Sequence, residues 1–76
     1  MHRRPLTAKE WLVISLAAEG LKNREIAERI GSTEHMVKNY MRSIYDKLGM
    51  WNRTELALWY VKRTFEKEHE QRFRPE

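Results

Sequence analysis

Lys38, Asn39 and Arg42 are three side chains able to read the edge of a base pair, and they stand within one short stretch of this chain. Arginine and lysine donate to the major-groove acceptors of guanine, and asparagine can pair with the adenine edge. At about 100° per residue on an α-helix, these three share a side with His35 and Asp46. The opposite side is a stripe of Val37, Met41, Ile44 and Leu48, spaced by four, three and four. A helix that buries one side and offers donors of this kind from its N-terminal half has the form that major-groove docking requires.

Such a helix needs a second one to hold it. Ile26 and Ile30 lie four apart, Ala27 beside them is small enough for a close helix crossing, and Gly31 permits the left-handed backbone that ends one helix and redirects the chain. Ile26 to Leu48 therefore reads as a helix-turn-helix, which points to DNA. The three glycines, Gly20, Gly31 and Gly49, each stand where a helix should end. Thr7, Asn23, Thr33 and either Asn52 or Thr54 are candidate N-caps, since each can accept a bond from the first unpaired amides of a helix.

Four helices and no strand result. The first covers about 8 to 19 and offers Trp11, Leu12, Ile14, Leu16 and Ala18, with Leu6 ahead of it as a hydrophobic staple. The second and third cover 24–30 and 34–48. The fourth begins near Thr54 and carries Leu56, Ala57, Leu58, Trp59, Tyr60 and Val61, an apolar run that goes almost round the cylinder. One core cannot absorb all those faces, so a second buried contact is expected, with Leu58 and Trp59 as its centre and Lys62 beside them. From Lys62 onward the chain is highly charged, anchored only by Phe65 and Phe73, and extends helix four before fraying.

At 76 residues the chain is read as one domain spanning 1–76, with a core over about 6–61 and a charged extension over 62–76. So small a core gains from association with a partner. The composition, 41% hydrophobic and 34% charged, is that of a folding chain, and the net charge of +4 suits a polyanionic partner. There is no cysteine, and His2, His35 and His69 are too scattered for a metal site. No catalytic site is expected, for lack of a Cys nucleophile, a Gly-rich phosphate loop or a carboxylate pair facing a cleft. Nor is there a signal-peptide pattern or an apolar run of membrane-spanning length, so a cytoplasmic, nucleoid-associated location and no membrane contact are expected. Glu10, in the first turn of helix one, and Arg53, at the head of helix four, are expected to pair with each other.

The residues Leu6-Thr7-Ala8-Lys9-Glu10, 18–27, Val37-Lys38-Asn39, Ile44, Lys47-Leu48-Gly49-Met50 and Asn52-Arg53-Thr54-Glu55, in that order and spacing, resemble the LuxR-type (GerE or FixJ type) helix-turn-helix domain of bacterial transcription regulators. The resemblance runs from Leu6 to about Val61. It implies an all-α, four-helix domain of the winged-helix-like DNA-binding superfamily, without a wing. It further implies that helix three enters the major groove and that helix four mediates a homodimer on a two-fold site of double-stranded DNA, with no cofactor.

Carried over by position, base readout falls on Lys38, Asn39 and Arg42, matching the face derived from periodicity. Backbone contacts fall on Asn23, Thr33 and Lys47; His35 and the Tyr40 hydroxyl are added to them. Three positions depart from the family: Met36 where a phosphate-binding threonine is usual, Tyr40 where histidine is frequent, and Ser32 where an apolar residue is usual. Most relatives carry a receiver or ligand-binding domain in front, so this chain is read either as the stand-alone form or as a fragment of a longer regulator. Two rivals remain at this point. One is region four of sigma factors, which begins similarly but lacks the Lys47-Leu48-Gly49 ending and the helix after it. The other is a protein-binding scaffold whose Trp59 surface grips another regulator. RNA polymerase is a further partner that the DNA-binding reading admits.

Overall fold

A computed structural model of the chain describes residues 4–72, with side chains through residue 68. Its order is α1 (Ala8–Ala18), α2 (Asn23–Ile30), α3 (Glu34–Leu48) and α4 (Arg53–Arg72), with no strand among the described residues. His2 and Phe73 lie outside the described residues.

Local chemistry fixes the ends of these helices. Thr7 caps α1 in a reciprocal box: its hydroxyl accepts from the Glu10 amide at 3.1 Å, and the Glu10 carboxylate accepts from the Thr7 amide at 2.8 Å. Thr33 caps α3 by accepting from the Met36 amide at 3.1 Å, and Asn52 caps α4 by accepting from the Glu55 amide at 2.9 Å. The expectation for α2 is corrected by one residue. Its cap is Lys22, whose amide donates to Glu25 at 2.8 Å, while Asn23 is already helical and its side chain is used elsewhere. Gly31 and Gly49 end α2 and α3 in the left-handed conformation, at φ 68° each, and return their amides to Ala27 and Tyr45.

The core draws on every helix: Val13, Ile14 and Leu16 of α1, Ile26 and Ala27 of α2, Val37, Met41 and Ile44 of α3, and Leu56 of α4. Val13 completes the buried side of α1, while Leu12 is turned to solvent. Leu6 packs against this core ahead of α1, as a staple does. Helix α2 packs on α3, α1 lies across both, and α4 packs on α1. The α1–α4 seam includes Trp11 stacked on Trp59, with ring centroids 5.7 Å apart and planes 21° apart. The Arg63 guanidinium lies over both rings, at 5.2 and 5.6 Å from their centroids. On the other side of α4, Leu58, Val61 and Phe65 are exposed.

Candidate nucleic-acid interface

Helix α3 separates its two sides sharply. Val37 and Ile44 are fully buried and Met41 nearly so, while His35, Lys38, Asn39, Arg42 and Asp46 are exposed. The three residues expected to read bases therefore project together from one solvent-facing side. Thr33 stands exposed at the N-terminus of that helix. Its hydroxyl oxygen accepts from the Met36 amide, which leaves the hydroxyl hydrogen to donate outward.

Asn23 is brought to the same surface by Arg53. One guanidinium nitrogen of Arg53 donates to the Asn23 side-chain oxygen, and the other donates to the Leu21 carbonyl at 2.8 Å. Because arginine only donates, it is the Asn23 oxygen that meets Arg53, and the NH2 group is the end that can donate to an outside acceptor. Asn23, Arg53, Lys38, Met41, Arg42 and Tyr45 together line a shallow cleft of about 320 Å³. Burial pushes the Tyr45 hydroxyl pKa up, and the Arg53 charge opposes that shift. Tyr40 is half-buried against the core. Met36, which offers no hydroxyl, is exposed at the first turn of α3.

Lys47 is turned inward. Its ammonium donates to Glu10 at 2.7 Å and to the Pro5 carbonyl at 3.1 Å, and its side chain is only 12% exposed. The expected Glu10–Arg53 pair is not formed: Glu10 belongs to Lys47, and Arg53 to the α1–α2 turn. Glu10 also accepts from the Ser43 hydroxyl at 2.7 Å, so this buried carboxylate meets three side-chain and backbone donors. Burial alone would raise its pKa. The hydrogen bonds from Lys47, Ser43 and the Thr7 amide, with the Lys47 charge, outweigh that and bring it down to about 2. Ser43 went unnoticed in the sequence, although it stands four residues before Lys47 and so shares its side of α3.

On the expected second contact, Leu58 and Lys62 are exposed, while Trp59 is half-buried in its stack with Trp11. Among the described residues no helix is long and apolar enough to cross a membrane.

A short helix crossing beneath a longer one, the longer presenting Lys38, Asn39 and Arg42 to solvent, defines a helix-turn-helix DNA-binding domain. Residues 4–60 match the family described as bacterial regulatory proteins, luxR family, and the chain belongs to that family. It is similar to the DNA-binding transcriptional activator DevR/DosR of Mycobacterium tuberculosis, with 43% identity over 54 residues covering 71% of this chain and 25% of that protein. It is also similar to the transcriptional regulatory protein YdfI of Bacillus subtilis, with 48% identity over 50 residues covering 66% and 24%. A third relative is the HTH-type transcriptional regulator MalT of Vibrio cholerae, with 37% identity over 51 residues covering 67% and 6%. The chain thus spans about a quarter of the first two relatives' length. The family match decides against region four of sigma factors.

Proposed function

We propose that this chain regulates transcription by binding a two-fold-symmetric DNA site as a homodimer. Helix α3 of each subunit lies in successive major grooves, about 10 base pairs apart. Lys38, Asn39 and Arg42 read bases, while Asn23, Thr33, His35 and the Tyr40 hydroxyl position the domain on phosphates. A phosphate contact by Lys47 uses the one ammonium N–H that Glu10 and Pro5 leave over. Leu58, with Lys62 and the outer edge of Trp59, forms the contact between subunits. The protein acts in the cytoplasm, at the nucleoid.

One observation carries this reading: the side of α3 opposite the fully buried Val37 and Ile44 is exposed and consists of base-reading side-chain types. An electrophoretic titration of random-sequence duplex at two salt concentrations tests it, because phosphate neutralisation makes affinity fall steeply with salt. Selection of bound sequences from a random pool is expected to return a palindrome. Absence of binding at low salt would instead favour the protein-binding scaffold.

A further inference from the structure

The turn between α3 and α4 holds Trp51 with 87% of its surface exposed. The indole is therefore open to an outside partner, with an apolar face to stack and an N–H to donate. The turn is well fastened. Met50 donates its amide to the Tyr45 carbonyl at 3.0 Å, and Trp51 donates its own to Glu55 at 2.8 Å, so the ring is held at the C-terminal end of α3.

From the opposite flank, the Lys47 bond to the Pro5 carbonyl draws the N-terminal segment against α3 and sets Arg4 beside it. Arg4 and Trp51 both line a concavity of about 750 Å³, together with Asn39, Arg42 and Asp46 of α3. Two of the three proposed base-reading residues therefore belong to the same depression as the exposed tryptophan. With two guanidiniums against one carboxylate, the depression favours an anion.

We propose that Arg4 and Trp51 form an additional DNA-backbone contact at the C-terminal end of α3. Arg4 pairs with a phosphate, and Trp51 lays its indole on the adjoining deoxyribose with its N–H directed to a phosphate oxygen. This rests on α3 being the groove helix. A 15-residue helix is about 22 Å long, against a major groove about 12 Å wide. When Lys38 to Arg42 face bases, the last turns of α3 and the turn behind them run alongside a phosphate ridge. Lys47 then contributes at this end by placing Arg4.

The test compares Arg4→Gln, Trp51→Ala and Arg42→Ala in the full 76-residue chain. Binding is followed on random-sequence and selected duplexes across a salt series, and folding is checked by thermal unfolding. Arg4 and Trp51 are both exposed, so their variants are expected to unfold like the parent. Arg4→Gln is expected to weaken every duplex roughly tenfold and to lower the slope of log K against log salt by about 1. Trp51→Ala is expected to weaken all sequences alike, with the slope and the selected site unchanged. Acrylamide quenching of tryptophan fluorescence is expected to fall on adding duplex, and this change is expected to vanish in Trp51→Phe. If both variants bind like the parent while Arg42→Ala loses site preference, the contact is refuted and the reading of α3 stands. Loss of self-association in Trp51→Ala with unaltered DNA affinity would assign the surface to a second copy and overturn the proposal. If the parent itself shows no salt-dependent binding, the underlying reading fails and takes this contact with it.

Discussion

Arg42 and Lys47 are both basic residues of α3, and the five-residue step between them turns one toward solvent and the other into the protein. Replacing them should separate binding from folding. Arg42→Ala is expected to leave the unfolding midpoint unchanged, to cost about 1–3 kcal/mol in binding and to relax preference at one base position. A site profile selected with the variant checks this, and an unchanged profile would remove Arg42 from the reading set. Lys47→Ala strips the cation from a buried carboxylate and is expected to cost about 3 kcal/mol of stability, read from the shift of the urea midpoint. The sequence placed Lys47 among the expected DNA-backbone contacts, whereas the structure turns it inward. What the sequence could not supply was Glu10 as the partner, because the two meet across α1 and α3 and are 37 residues apart in the chain. The same holds for Asn23, a good cap by residue type. Arg53, 30 residues later, takes its side-chain oxygen, and the capping role passes to the backbone of Lys22.

The helices themselves were far more legible than their pairings, because their limits are written in local chemistry. Thr7, Thr33 and Asn52 cap as their types suggest, and the turn at Gly31 follows from a single backbone requirement. Nothing lies within 4 Å of the position a Gly31 Cβ would take, so a side chain there meets no steric obstacle from neighbours. The obstacle is φ of +68°, which costs an L-residue about 1–2 kcal/mol. Gly31→Ala is therefore expected to lose about that much stability in urea unfolding, and Gly31→Asn less, since asparagine tolerates the left-handed region better. A larger loss in Gly31→Asn than in Gly31→Ala would mean that crowding, and not backbone conformation, governs the site. Helix α4 was legible in composition but not in direction. Its apolar run divides into Leu56, Trp59 and Tyr60 toward the core and Leu58, Val61 and Phe65 outward, a division that only its packing against α1 decides.

At the scale of the molecule, α1, α3 and the N-terminal segment are tied together through one carboxylate. Glu10 accepts from Thr7 and from Ser43 and Lys47 of α3, while Lys47 also holds Pro5. Because these bonds favour the ionised form, the pKa of Glu10 in the folded chain lies near 2, below its ordinary 4.5. Protons therefore bind the unfolded chain more readily over this interval. The network's contribution is complete above pH 4.5 and is lost as pH falls through about 2. The shift corresponds to about 3 kcal/mol, a large fraction of what a domain this small can command. Urea unfolding between neutral pH and pH 2 is expected to show a steep fall in stability below pH 4.5. In Glu10→Gln the neutral-pH stability is expected to be lower and the acid fall shallower, because the variant has no carboxylate to protonate at that position. A fall of the same size in parent and variant would place the acid sensitivity outside Glu10. In that case the orientation of α3 relative to α1 would rest chiefly on the apolar core, in which Val13, Ile14 and Leu16 of α1 meet Val37, Met41 and Ile44 of α3.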